Sequence, residues 1–338
     1  MRTDNNDRPL VSCILPVYNG ERWLQAAIES VLGQTYPHLE LIVINDGSTD
    51  RSGSIAADLA ARDSRVVVID QDNTGIVGAL NAGLRVARGS YIARMDADDI
   101  CLPERFARQV EALEAHPELA IIGTRSITVG AEGEIDSQVE AGQHESIPLF
   151  VKSSNVHNFP PSLLQVLHPT IMVRADLMKT IGGYGGRYPH VEDYDLYMRL
   201  SAYGPIAELQ RELLLYRVHG DNVSIRRLRE QEENAARCDI ENVNAFRRKA
   251  GKPALRISDK TVLGWVEFRC FRREFPLGIS KVGTLNSALS YTIQGAFRTS
   301  LNITALILMR CGLYYMKSFR IAATHLRKFR IQPKPLKS

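Results

Sequence analysis

Apolar residues in the first 123 positions follow two alternating rhythms. Short runs at 11–18 (VSCILPVY), Leu39–Ile44, Arg65–Ile69, Tyr91–Met95 and Leu119–Gly123 have the length and turn-residue borders of buried strands. Between them, apolar positions recur at three- and four-residue spacing. Trp23, Leu24, Ala27, Ile28, Val31 and Leu32 mark one helix, residues 49–62 a second, Ile76, Leu80 and Leu84 a third, and Phe106, Val110 and Leu113 a fourth. Ser48 is expected to cap the second helix. Strands alternating with such helices predict an α/β fold, a mostly parallel sheet covered on both faces. Ligands bind at the carboxyl ends of strands in such sheets. Pro16-Val17-Tyr18-Asn19, Asp46, Asp70 and Asp96–Asp99 therefore fall on one rim.

From about residue 124 the rhythm stops, and residues 124–160 read as irregular strands and loops rich in Gly, Ser, Asn and His. Pro169–Val173 is expected as a strand and Arg174–Ile181 as a short helix, stopped by Gly182-Gly183. In EDYDLYMRL, Leu196, Tyr197 and Leu200 form an apolar stripe; Tyr194, like Trp23 earlier, is expected in the core. Ile206–Val218 reads as a strand that ends in His219-Gly220-Asp221-Asn222. The chain is then helical and charged to about residue 250 and mixed helical beyond, with no internal repeat.

At 338 residues, one large domain or two unequal ones are expected. The net charge of +4 hides an asymmetry: after Glu274 there are 10 Lys/Arg and no acid, leaving 32 Lys/Arg against 38 acids before it. An acidic body with a basic tail suggests two separate jobs. Five scattered cysteines without a CxxC pair argue against a disulfide framework or a cysteine metal site. The first residues, MRTDNNDRPL, lack the apolar centre of a signal peptide, and no run reaches the 18 or so apolar residues of a spanning helix. A cytoplasmic protein is the expectation.

The stretch YIARMDADD carries the most chemistry. A buried strand ending in Asp96, Asp98 and Asp99 offers hard oxygen ligands, which suit Mg²⁺ or Mn²⁺ better than zinc. A solvated turn before a helix opened by Pro103 and Glu104 is the other reading of these nine residues. Neither GxGxxG nor GxxxxGK[ST] follows the first strand, so dinucleotide and P-loop chemistry lose their main support. A bound nucleotide would need another countercharge for its phosphates, and a divalent metal on Asp98 would supply it.

The order of four motifs is more specific than any one of them. VSCILPVYNGERWLQAAIESVLGQTYPHLELIVINDGSTD, Asp96-Ala97-Asp98, GGYGGRYPHVEDYDLYMRL and YRVHGDNVS, spread over roughly residues 10–225, resemble the inverting family 2 glycosyltransferases of the GT-A fold. The resemblance implies a GT-A nucleotide-diphospho-sugar transferase domain over 1–225, with a nucleotide-sugar half (10–123) and an acceptor half (124–225). A helical basic extension follows over 226–338. It implies that Pro16, Val17, Tyr18, Asn19 and Glu21 border the nucleotide pocket and that Asp46 hydrogen-bonds the base. Asn73 and Asn81 lie in the segment that closes over the nucleotide. By the same resemblance Asp96 would face ribose and metal, Asp98 and His219 would hold Mn²⁺ or Mg²⁺, and Asp193 would be the catalytic base. His168, Glu192 and Asp195 are candidate acceptor contacts, Asp195 alternatively a structural residue. Two positions depart from the pattern: Asn45 stands where many members have an acid, and Arg94 lies two residues before the first motif Asp. In an extended strand Arg94 shares a face with Asp96 and is expected to pair with it or with phosphate.

The expected reaction moves a sugar from a nucleotide-diphospho-sugar, UDP-linked, to a hydroxyl of a glycan or lipid-linked acceptor in cell-surface polysaccharide synthesis. A non-catalytic scaffold that binds nucleotide or membrane and a nucleotidyltransferase are the alternatives. In 317–330 the apolar Phe319, Ala322, Ala323, Leu326 and Phe329 lie opposite Lys317, Arg320, Arg327 and Lys328. This is the pattern of a helix on an anionic membrane, and equally of a helix packed on its own domain. Peripheral attachment through 301–330 is the corresponding expectation; nucleic acid is not a predicted partner.

Overall fold

The structure, a computed structural model, describes residues 8–133, 149–151, 166–220 and 227–259, together with 262, 263 and 266. The amphipathic stretch 301–330 lies outside them. The chain divides into two units, 1–257 and 258–338, and the elements below belong to the first.

Seven consecutive buried residues, Val11–Val17, form β1, the centre of the sheet's parallel half. Leu39–Asp46 (β2) and Tyr91–Arg94 (β4) flank it in parallel, and Val66–Gln71 (β3) lies outside β2. Side-chain alternation divides these strands between two cores. Cys13, Leu15, Val17, Leu41 and Val43 pack with Leu24, Ala27, Ile28 and Val31 of α1 (Leu24–Leu32) and with Phe106, Val110 and Leu113 of α4 (Arg105–Ala115). Ile14, Ile42 and Ile44 face Ala79, Leu80 and Ala82 of α3 (Gly75–Val86). At Gly83 a Cβ would stand 2.6 Å from Ile14, so glycine lets α3 lie directly on the strands.

The predicted helix over 49–62 begins later, as α2 at Ser52–Arg62, and Ser48 does not cap it. The Ser48 hydroxyl instead accepts the backbone N–H of Asn19 at 3.0 Å, fastening the β1–α1 loop. Likewise the predicted strand over 169–173 starts as a 3₁₀ turn, His168–Thr170. Pro169 has no N–H to give to a ladder, and only Met172–Arg174 (β8) pairs.

The second half of the sheet is mixed. β8 runs antiparallel between β4 and the long Ile121–Val129 (β6), and Ile206–Arg217 (β9) pairs in parallel with β6. The short Ile100–Cys101 (β5) runs antiparallel to β9, Ile100 opposite Leu215, and Leu149–Val151 (β7) joins β9 elsewhere along its length. The β5–β9 pairing brings residues just after β9 beside the Asp96–Asp99 turn. Ala175–Thr180 (α5) and Glu192–Leu200 (α6) follow β8. Leu228–Lys249 (α7) packs Ala235, Cys238 and Val243 against Tyr188, Val191, Tyr194 and Met198, so this helix belongs to the first unit.

Candidate functional site

The rim at the carboxyl ends of β1, β2 and β4 gathers most of the predicted residues. Pro16 and Val17 end β1 in the core, and Tyr18 emerges 54% exposed. Asn19 then adopts φ +52°, a left-handed turn that Asn tolerates better than most residues. Its Oδ1 accepts the Thr49 N–H at 2.8 Å, while Glu21 Oε2 accepts the N–H and Nε of Arg51 at 3.0 and 3.1 Å. Ser52 Oγ and Asp50 answer by accepting the N–H groups of Gly20 and Glu21. The YNGE loop and the GSTDRS turn thus hold one another through side chain–backbone bonds.

Asp46, at the end of β2, is buried, and its Oδ1 accepts from Thr74 N, Thr74 Oγ1 and Gln71 Nε2 at 2.9, 3.2 and 2.7 Å. The carboxylate is thereby fixed on the β3–α3 loop. A Cβ at Gly47 (φ +74°) would stand 2.7 Å from Asn73 N, so that glycine admits the loop carrying Asn73. Asp70 accepts from Asn45 Nδ2 at 2.7 Å; Asn45, in the place of an acid, is a donor.

After β4 the ligand atoms of Asp96, Asp98 and Asp99 lie within 4.8 Å of one another. Asp96 pairs with Arg94, the same-face partner expected from the strand. His219 Nε2 lies 2.9 Å from Asp98 Oδ2. The end of β9 is tied to the acids by Arg217, whose N–H donates to Asp99 Oδ1 and whose Nε donates to the Asp98 carbonyl, both at 2.8 Å. Trp23, expected in the core, is only partly buried and stacks on His219 with ring centroids 4.4 Å apart. It stands one residue before α1, where the chain leaves the rim.

These acids suit a divalent cation. Burial, with Asp96 and Asp98 adding to it, pushes the Asp99 carboxyl up to about 9, and its Oδ2 is buried without a hydrogen-bond partner. Burial also raises Asp96 against the opposing pull of Arg94. Crowded, under-neutralised carboxylate oxygens of this kind could hold a hard divalent cation.

The first turn of α6 carries Glu192 and Asp193, and the Asp193 charge adds, after burial and Asp98, to the upward shift of Asp96. Asp193 Oδ1 accepts the N–H of Tyr194 at 2.7 Å. Burial, and then the Asp193 charge, pushes Glu192 up to about 7, and its buried Oε2 has no hydrogen-bond partner. His168 Nε2 lies 3.1 Å from the Tyr184 hydroxyl; burial, reinforced by Arg94, holds this imidazole well below its usual range and therefore neutral.

Two predicted residues are committed elsewhere. Asn81 binds the Tyr184 backbone with both amide atoms, Nδ2 to the carbonyl at 3.0 Å and Oδ1 from the N–H at 2.9 Å, so it secures the GGYGG loop. Asp195 is buried on Arg199 at 2.8 Å, which fits its structural alternative.

Three residues emerge only from the fold: Trp23, Arg217 and Arg105. Arg105 is fully buried below the acid turn and donates to the carbonyls of Arg94 and Ile171 at 2.8 and 3.3 Å and to Gln109 Oε1 at 3.1 Å. The adjacency of Arg217 to His219 in YRVHG was a usable signal. Nothing in RFARQ marks a buried cation.

The profile described as Glycosyl transferase family 2 matches residues 12–180. An uncharacterized glycosyltransferase of Haemophilus influenzae is 35% identical over 253 residues, covering 72% of this chain and 76% of the relative. The amylovoran biosynthesis glycosyltransferase AmsE of Erwinia amylovora is 32% identical over 222 residues, covering 64% of this chain and 80% of its own length. Among solved structures, a mannosyltransferase of Pyrobaculum calidifontis in complex with GDP-Man and Mn²⁺ superposes with a TM-score of 0.54 at 17% identity, over 95% of this chain and 85% of that one. The shared fold is GT-A, the nucleotide-sugar transferase architecture expected from the motifs.

Proposed function

Because this chain belongs to glycosyl transferase family 2, we propose that it transfers a sugar, with inversion, from a nucleoside-diphospho-sugar to an acceptor hydroxyl. One observation carries the reading: Asp96, Asp98 and Asp99 bring their ligand atoms within 4.8 Å of one another, with His219 Nε2 2.9 Å from Asp98 Oδ2, and Asp193, in the first turn of α6, is the carboxylate proposed to stand opposite them. A carboxylate opposite a donor-holding acid cluster is the layout a single displacement requires.

The nucleotide-sugar half binds the donor. Asp46, pinned by Thr74 and Gln71, offers its remaining acceptor capacity to the N3–H of uracil, which makes a UDP-linked donor the first choice. Pro16, Val17, Tyr18, Asn19 and Glu21 border the same pocket, with Asn73 on the loop beside it. Asp98 and His219 would hold Mn²⁺ or Mg²⁺, and Asp96 is the acid assigned to the ribose and metal side. Held there, such a cation would supply positive charge for the leaving diphosphate.

On the acceptor half, Asp193 removes the proton of the attacking hydroxyl as the new C–O bond forms at the anomeric carbon. The bond to the diphosphate breaks on the opposite face, and the diphosphate leaves with that electron pair. Glu192 and His168 orient the acceptor; His168, neutral and bound to Tyr184, adds no charge against the reacting centre.

The acceptor proposed is a hydroxyl of a glycan or lipid-linked saccharide in polysaccharide assembly, as the printed name of AmsE supports. Peripheral membrane attachment through 301–330 accompanies it. Among the described residues no helix is long and apolar enough to cross a membrane. Deletion of 301–338 is expected to release the protein from anionic vesicles in a sedimentation assay; unchanged sedimentation would remove the membrane from the proposal.

The decisive assay is nucleotide release from a panel of UDP- and GDP-sugars, with saccharide acceptors, in Mn²⁺ or EDTA. Acceptor- and metal-dependent release is expected with a UDP-sugar and is lost in Asp193→Ala. Absence of metal-dependent turnover across the panel would point to a binding scaffold.

A further inference from the structure

We propose that Trp23 is the positioning residue for His219, an aromatic platform that fixes the imidazole at Asp98. The inference rests on the reading of Asp98 and His219 as metal ligands and adds a residue to it.

The indole and imidazole stack with centroids 4.4 Å apart and planes 29° from parallel. The platform is itself anchored. Trp23 directly precedes α1, whose Leu24, Ala27, Ile28 and Val31 are fully buried. Its indole N–H donates to the Ala131 carbonyl at 3.3 Å. The guanidinium groups of Arg22 and Arg217 lie over the ring, 4.8 and 5.8 Å from its centroid.

His219 needs such support because it lies beyond β9. The strand ends at Arg217, and Val218 still donates its N–H to the Val129 carbonyl at 2.9 Å. Arg217 ties this stretch to Asp99 and to the Asp98 carbonyl, which places the His219 backbone, and the imidazole then lies against the indole. The indole sets the ring plane, and the 2.9 Å approach of Nε2 to Asp98 Oδ2 sets which nitrogen points inward. Outer groups that orient a ligating histidine usually govern metal affinity by a factor of 10–100. Here an aromatic face does the orienting, since stacking fixes a plane as a hydrogen bond fixes a direction.

The full-length protein is titrated with Mn²⁺ followed by electron paramagnetic resonance, with Mn²⁺ alone and with UDP or GDP added in separate arms. Trp23→Leu is expected to weaken Mn²⁺ uptake about tenfold, whereas Trp23→Phe, which keeps a ring but not the indole N–H, stays within about threefold of wild type. In a His219→Ala background, Trp23→Leu adds no further loss. Uptake by folded Trp23→Leu equal to wild type would overturn the inference while leaving the metal reading intact; no uptake by wild type in any arm would overturn both. A second measurement needs no change at Trp23. In Trp265→Phe, Trp23 is the one remaining tryptophan, and saturable quenching of its emission by Mn²⁺ is expected and is abolished by His219→Ala. Unchanged emission as Mn²⁺ binds would contradict the stacked arrangement.

Discussion

The two rims of the site are built by different means. The donor rim is assembled from parallel strand ends, and its loops fasten one another by side chain–backbone bonds: Asn19 to Thr49, Ser48 to Asn19, Glu21 to Arg51, Asp46 to Thr74. The acceptor rim comes from a 3₁₀ turn, a glycine-rich loop and the first turn of α6, held together from below by a buried cation and a secured amide. Arg105 ties the Arg94 carbonyl to that of Ile171, and Asn81 holds Tyr184. Contacts spanning 28–30 residues within the first half of the chain thus fasten the proposed donor side, whereas contacts spanning 66 and 103 residues join the proposed acceptor side to it. Damage to the donor rim should therefore be local and graded, and damage below the acceptor rim should be cooperative.

The largest expected effect separates chemistry from assembly. Asp193→Asn is isosteric, so it should lower kcat by about 10³-fold while leaving donor affinity and unfolding temperature near wild type; steady-state kinetics with calorimetry checks this. A parallel loss of donor affinity would erase the division between the rims.

Next in size, Arg105→Met should destabilise the protein by about 3 kcal/mol in urea unfolding, because the buried Arg94 carbonyl and Gln109 Oε1 lose the guanidinium and the Ile171 carbonyl keeps only the Arg94 N–H. Loss confined to donor binding, without destabilisation, would show that the support below the acids is not structural.

Glu192 provides a pH test. Its folded carboxyl, raised to about 7 from an ordinary 4.5, is penalised when charged. Its contribution to stability is therefore most favourable below pH 4.5 and declines as pH rises to 7. Glu192→Gln should remove that decline, leaving the variant roughly 2 kcal/mol more stable than wild type at pH 8 and nearly equal at pH 4.5. Unfolding midpoints at the two pH values report it, and a constant difference would contradict the shift.

The smallest effect lies on the donor side. Asn19→Ala places an alanine at φ +52° and removes the Thr49 bond, which should cost about 1 kcal/mol and raise the donor KM a few-fold. Asn19→Gly should recover most of the stability but not the KM.

The donor rim was largely legible because its information is local. Apolar runs located β1, β2, β3 and β4, and the acids at their ends fell on one rim without any long-range contact being known. Ser48 was misplaced as a cap because its hydroxyl is taken by Asn19, 29 residues away. On the acceptor side, Asp193 and His219 could be singled out only through the resemblance of whole motifs. EDYDLYMRL alone cannot tell Asp193, the proposed base, from Asp195, buried on Arg199. Arg105 and Trp23 were opaque for the same reason: their partners are backbone carbonyls and a histidine that only the closed sheet brings near.

The central claim is that the donor acids and Asp193 act from opposite sides on one anomeric carbon in a single displacement. It is tested most directly by proton NMR of the product's anomeric configuration, with a donor of known configuration. An α-linked donor should yield a β-linked product, with no glycosyl-protein adduct by mass spectrometry; an α-linked product would contradict the account.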